Sequence, residues 1–189
     1  MNWTVIVPLK QEGSRKTRLR DVLTDEERAQ LGERWFRHVA GMVGQVPGVR
    51  LIILSDRLPD GCAGDWRPDE GRGLNEELQA ARRDLGAAPV AILHADLPHL
   101  GADDVAALLE AAERSGCAIA PDRHGTGTNG LAIADARPFR FAFGPGSFAL
   151  HRASAGAPHE TVDRFGLALD VDTPDDLAAA SGEVDRFRP

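Results

Sequence analysis

Three short runs of aliphatic and β-branched residues constrain this chain most: residues 4–9 (TVIVPL), 49–54 (VRLIIL) and 90–94 (VAILH). None alternates polar with apolar, so each reads as a strand covered on both faces, as parallel strands are. Helical stretches separate them. Thr24-Asp25-Glu26-Glu27 has the form of a capping box, with Leu31, Trp35, Val39 and Met42 at helical spacing behind it, and that helix stops near residues 44–48. Residues 74–84 form a second helix, and residues 102–114 a third, with acidic residues in its first turn and Gly116 at its end. Residues 118–121 are a fourth strand. Strands alternating with helices imply an α/β fold: a doubly wound, mainly parallel (mixed) Rossmann-like sheet with helices on both faces. Ligands of such sheets sit at the carboxyl ends of the strands.

The rest of the chain is less regular. A Gly/Pro/Asp-rich connection runs from residue 56 to 73. Residues 125–130 form a Gly/Thr-rich loop before a strand at 131–133, and residues 144–147 a second Gly-rich loop before a short helix at 148–153. Residues 167–171 read as a last strand. Thr173 caps a final helix with Pro174 at its first position. No repeat or low-complexity linker interrupts this pattern, and a length of 189 residues fits one domain over 1–189.

A net charge of −7 argues against a nucleic-acid partner, which would want a basic face, but not against a small anion in a local basic pocket. Cys62 and Cys117 lie far apart and lack metal-type spacing, which reads as reduced thiols of a cytoplasmic protein. The first apolar run is too short for a signal peptide, and no run is long enough to span a membrane. A homodimer is compatible with the sequence, which displays no interface. Lysine use is more telling. Of 22 Lys and Arg residues only two are Lys, and both, Lys10 and Lys16, fall in one loop. A compact ammonium reaches a phosphate in a narrow site where the wider guanidinium fork does not fit.

That loop follows the first strand, where a doubly wound sheet places its phosphate-binding turn. Lys10, Arg15, Lys16, Arg18 and Arg20 lie within it, and Gly13 and Ser14 offer backbone N–H groups. It is not a Walker A motif. The carboxylates form a second constellation. Asp96 follows the third strand, and Asp170 and Asp172 flank Val171, where strand alternation puts them on one side. Taken singly, Asp96 is also a turn residue before Pro98, and Asp172 a turn residue beside the Thr173 cap. Together at the functional edge they point to one or two Mg²⁺, a hard cation that prefers oxygen ligands. The two Gly-rich loops suit a small anion, and also plain turns. Asn75, in Gly71-Arg72-Gly73-Leu74-Asn75, caps a helix or contacts a base, the cap being the simpler reading. His94, His99 and His124 show no metal spacing, and His94 reads as a core or supporting residue. No Ser-His-Asp or Cys-His set supplies a general base. A phosphate nucleophile needs none, because its second pKa near ~6 leaves it mostly dianionic at neutral pH.

The segments Pro8-Leu9-Lys10, SRKTRL (14–19), Gly73-Leu74-Asn75, Ala95-Asp96-Leu97-Pro98, PDRHGTGTN (121–129), FGPGSF (143–148) and LDVDTPDDL (169–177), in this order along the chain, resemble the guanylyltransferases of deazaflavin coenzyme F(420) biosynthesis. These act on 2-phospho-L-lactate or, in bacterial relatives, phosphoenolpyruvate. Molybdenum-cofactor nucleotidyltransferases share only the opening strand, the basic loop and the Asp after the third strand. The resemblance implies a nucleotide-diphospho-sugar transferase-like nucleotidyltransferase fold, GTP as donor, a small phosphorylated three-carbon acid as acceptor (3-phospho-D-glycerate being a third candidate), Mg²⁺, and pyrophosphate as leaving group. It implies that Asp96, Asp170 and Asp172 bind metal and, with Lys16, carry catalysis. Leu9, Lys10, Lys16, Arg18, Gly73 and Asn75 would contact the nucleotide, and Thr128, Gly144 and Ser147 the acceptor. Gln11-Glu12-Gly13 departs from the more apolar stretch expected there. Two other readings stand beside this one: a nucleotidyltransferase for a molybdopterin- or sugar-phosphate-type acceptor, and a non-catalytic regulator that binds GTP or a phosphometabolite.

Overall fold

The computed structural model describes residues 1–9, 19–61 and 63–182. Lys10, Gly13, Ser14, Arg15, Lys16, Arg18 and Cys62, all singled out above, lie outside the described residues.

Among the described residues seven strands form one sheet: β1 (Trp3–Leu9), β2 (Val49–Ser55), β3 (Asp65–Pro68), β4 (Val90–Leu93), β5 (Cys117–Pro121), β6 (Thr128–Ile133) and β7 (Glu160–Thr161), in the order β3-β2-β1-β4-β6-β5-β7. All pairings are parallel except those of β6, which runs antiparallel to both β4 and β5. The helices are α1 (Asp25–Gly44), α2 (Leu74–Leu85), α3 (Ala102–Ser115), α4 (Ser147–Ala155), α5 (Phe165–Ala168) and α6 (Pro174–Gly182).

Period-two alternation sorts the strand side chains onto two faces. Val5, Val7 and Leu9 of β1 join Leu51 and Ile53 under α1 (Phe36, Val39, Val43) and α3 (Val105, Leu108, Ala112). Ile6, Ile52 and Leu54 face the other way, towards Leu78 and Ala81 of α2 and Ala155 of α4. The doubly wound arrangement expected from the sequence is therefore present. A smaller cluster of Trp35, Leu169, Val171 and Ala180 seats α6 against α1. The Thr24 capping box forms as predicted: the Thr24 hydroxyl accepts from the Glu27 backbone N–H at 3.2 Å, and the Glu27 carboxylate accepts from the Thr24 N–H at 2.8 Å.

Three readings are corrected. Residues 65–68 fall within the expected connection yet form the edge strand β3, whose Asp-Trp-Arg-Pro sequence, mostly exposed, carries no strand pattern. The strand beginning at Leu131 starts three residues earlier, at Thr128. The last strand, 167–171, is replaced by the short helix α5 and an extended segment. Here the carbonyls of Leu167 and Ala168 accept from the Asn129 side chain and that of Ala168 also from the Arg123 N–H, so no sheet ladder is needed to satisfy them.

Candidate active site at the carboxyl edge of the sheet

Parallel pairing brings the ends of β1 and β4 to one edge. Because β6 is antiparallel, with Leu93 opposite Gly130, its beginning lies at that same edge. Leu9, His94, Asp96, Asp122, Thr128 and Asn129 therefore belong to one rim. Asp69, just past β3, donates its N–H to the Ser55 carbonyl at 2.8 Å, which brings the Gly71–Gly73 turn to this rim as well.

Three carboxylates gather there. The Val171 N–H donates to the Asp96 carbonyl at 3.3 Å, laying residues 169–172 alongside the segment that follows β4. Burial pushes the Asp170 carboxyl above its ordinary pKa, the charges of Asp96 and Asp172 push it further, and the Asn129 amide and His94 oppose them. Like charges disfavour the ionised form, so both neighbours act on Asp170 in the same direction as burial. Among the described residues, no three His, Cys, Asp or Glu side chains form a ready-made metal cage.

Side chains outside the predicted set hold these acids in place. Asn129, buried at the start of β6, donates from Nδ2 to the carbonyls of Leu167 (3.0 Å) and Ala168 (3.1 Å) and to Asp170 Oδ1 (3.1 Å). Asp176 accepts from the backbone N–H groups of Asp172 (3.1 Å) and Thr173 (2.8 Å) and from the Thr173 hydroxyl (2.7 Å). Burial pushes Asp176 up, but those hydrogen bonds and the Arg123 guanidinium at 2.5 Å outweigh it and hold the carboxyl below its usual range. Asn129 ends a motif quoted above and Asp176 stands three residues after a predicted cap. The cap spacing is a signal that could have found Asp176; nothing local marks Asn129.

The two Gly-rich loops meet. Asp122 gathers the backbone N–H groups of His124 and Thr126, and a Cβ on Gly127 would stand 2.6 Å from its Oδ2. The Phe148 N–H then donates to the Thr126 carbonyl at 3.1 Å, zipping the 144–147 loop onto it. Gly144 (φ 133°) and Gly146 (φ 72°) take backbone conformations that L side chains rarely adopt. Thr128 and Ser147 are both buried, and Gly144 is exposed.

On the nucleotide side, Gly73 itself occupies the cap position of α2, with no side-chain hydrogen bond, so the cap reading of Asn75 is corrected. Asn75 instead clamps the Gly-rich strap: its Nδ2 donates to the Phe143 carbonyl at 3.0 Å and its Oδ1 accepts from the Phe143 N–H at 2.7 Å. The preceding turn is pinned by buried Glu77, which accepts from the N–H groups of Glu70 and Arg72 and from the Arg72 guanidinium. That guanidinium, first among the causes, holds the Glu77 pKa down at about 2. Beside it opens a cleft of about 900 Å³, lined among others by Arg72, Gly73, Asn75, Gln79, Arg140 and Phe141. The half-buried His94 ring lies tilted by 42° to that of Phe143, with centroids 5.4 Å apart. Cys117 is buried, and burial raises its thiol to about 11, which makes it unreactive.

The structure thus brings Asp96, Asp170, Asp172, Thr128, Gly144, Ser147, Gly73, Asn75 and Leu9 to the carboxyl edge of the sheet. No helix among the described residues is long and apolar enough to cross a membrane.

The fold is that of nucleotide-diphospho-sugar transferases. A protein of Desulfovibrio desulfuricans G20 assigned to that group superposes with a TM-score of 0.74 over 93% of this chain and 84% of its own, at 18% identity. Sequence comparison goes further. The family model described as "Guanylyl transferase CofC like" matches residues 3–181. The phosphoenolpyruvate guanylyltransferase of Sphaerobacter thermophilus is 36% identical over 97% of this chain and 95% of its own length. That of Rubrobacter xylanophilus is 37% identical over 100% of this chain and 98% of its own. The chain belongs to this family of guanylyl transferases.

Proposed function

We propose that this chain transfers GMP from GTP to the phosphate of phosphoenolpyruvate and releases pyrophosphate, a step of deazaflavin coenzyme biosynthesis. The observation that carries the reading is that the segment bearing Asp170 and Asp172 lies alongside Asp96 at the strand edge of a guanylyl transferase fold, tied there by the Val171 N–H to the Asp96 carbonyl and by Asn129 to Asp170. Three carboxylate oxygen donors without a closed protein cage suit Mg²⁺, which keeps waters and shares its coordination with substrate phosphates. Asp96, Asp170 and Asp172 would hold the ion, which when bound offsets the repulsion between donor and acceptor phosphates.

An acceptor phosphate oxygen attacks the α-phosphorus of GTP. The bond from that phosphorus to the β-phosphate oxygen breaks, and pyrophosphate departs with the electron pair. The attacking dianion has no proton to lose, so the chain needs no general base. Its residues position and neutralise. Gly73 and Asn75, beside the cleft, take the nucleoside, and Leu9 closes the end of β1 against the nucleotide. The nucleotide's phosphates are left to Lys10, Lys16 and Arg18, a role that rests on the resemblance of the sequence, since all three lie outside the described residues. Thr128, Gly144 and Ser147 take the acceptor acid.

The test is pyrophosphate release from GTP and Mg²⁺ with phosphoenolpyruvate, 2-phospho-L-lactate or 3-phospho-D-glycerate offered singly, and with ATP as donor control. Release with GTP and phosphoenolpyruvate is expected. Release with another acid alone corrects the acceptor, and silence with all three refutes the reading.

A further inference from the structure

Thr128 and the backbone leading into Gly144 meet on one buried imidazole. His151 of α4 is fully buried, edge-on to Phe143 with ring centroids 4.6 Å apart and 5.7 Å from Phe139. Its Nε2 lies 3.0 Å from the backbone nitrogen of Ala142, and its Nδ1 3.0 Å from Thr128 Oγ1. An amide N–H can only donate, so Nε2 is bare. A neutral ring with a bare Nε2 carries its proton on Nδ1, and that proton meets Thr128 Oγ1. The Thr128 hydroxyl therefore accepts from the ring, which leaves its own hydrogen to donate elsewhere.

We infer that His151 is a positioning residue: it locks Thr128 as a donor towards the anionic acceptor and anchors the strap that carries Gly144. The inference rests on the proposed reading of Thr128 as an acceptor contact. A phosphate or carboxylate offers lone pairs only, so a hydroxyl held with its hydrogen outward is already organised for it. A charged ring would not do, because its Nε2–H would oppose the Ala142 N–H. The aromatic surroundings act in the same direction: burial, and then the charge of His94, lower the His151 pKa to about 4.

Two measurements test this. The ¹⁵N resonances of the His151 ring in the intact protein report the tautomer without reference to activity. The Nδ1–H form is expected; the Nε2–H or doubly protonated form at neutral pH overturns the inference. The second is kinetic. His151→Asn restores a donor at the Nδ1 position, His151→Gln an acceptor at the Nε2 position, and His151→Leu neither. Losing a hydrogen bond to an anion predicts an acceptor KM raised about tenfold or more in the Gln and Leu variants, with the GTP KM little changed and partial recovery in the Asn variant. In a Thr128→Val background the Gln substitution adds nothing further to the acceptor KM. Additive effects in that double variant, or equal rises in both KM values, overturn the inference. Absence of transfer by the unsubstituted protein overturns the functional reading instead, and the tautomer then still decides how His151 holds Thr128.

Discussion

Acid should weaken this protein through His151, by an amount that follows from the structure. The ring is neutral when folded, with its pKa lowered from the ordinary 6.5 to about 4 by burial among Phe139 and Phe143 and by the nearby charge of His94. In the unfolded chain it regains its ordinary value. Between those two pH values the unfolded state binds more protons, so stability falls as pH falls. At ~1.4 kcal/mol per pH unit within that window, lowering the pH from 7 to 5 costs about 2 kcal/mol at this one residue, approaching about 3 kcal/mol near pH 4. Other groups titrate in the same range; Asp170, whose folded pKa is raised, acts in the opposite direction. A His151→Gln variant removes the ring's titration, and the Thr128 bond that it also loses is missing at both pH values. Urea unfolding of both proteins at pH 7 and pH 5 should therefore show the unsubstituted protein losing about 2 kcal/mol more than the variant. Equal losses would mean that the ring is not held neutral, and the buried hydrogen bonds assigned to it would be wrong.

Other substitutions separate the chemistry from the scaffold. Asp170→Asn removes a buried charge crowded by Asp96 and Asp172, so it should raise the melting temperature at pH 7 while cutting turnover by orders of magnitude; a lower melting temperature with turnover retained would contradict the site. Asn129→Ala strips the donor shared by the Leu167 and Ala168 carbonyls and Asp170, and should cost about 2–4 kcal/mol in urea unfolding. Gly166→Ala would place a Cβ 2.0 Å from Asp104 Oδ2 and 2.7 Å from the His99 carbonyl, so it should lower stability by about 1–3 kcal/mol; an unchanged thermal melt would contradict the packing of α5 on α3.

How far the sequence reaches can be followed along the chain. The buried strands β1, β2 and β4 announce themselves because parallel strands covered on both faces need continuous aliphatic runs, and the Thr24 and Thr173 caps mark their helices within a residue. The edge strand β3 is invisible because its pairing relies on backbone groups while most of its residues are exposed. The direction of β6 leaves no mark in its own residues; the neighbours it pairs with decide it. Residues 167–171 misled because a four- or five-residue apolar run suits a strand and a buried helical turn equally, and the arbiter, Asn129, lies 38 residues away from Leu167. At the site, the residue types that carry charge were legible from chemistry alone. The residues that aim them were not. Asn129, His151 and the clamp formed by Asn75 act through partners 9 to 68 positions distant, which no local spacing encodes.

The most direct measurement of the central claim follows the phosphorus atoms of GTP. With GTP labelled at the α-phosphorus, incubation with phosphoenolpyruvate and Mg²⁺ should put all the transferred label into a diphosphate-linked guanosine adduct. GTP labelled at the γ-phosphorus should yield labelled pyrophosphate. Label passing from the γ-position to the acid, with GDP as co-product, would show phosphoryl rather than nucleotidyl transfer and would contradict the account.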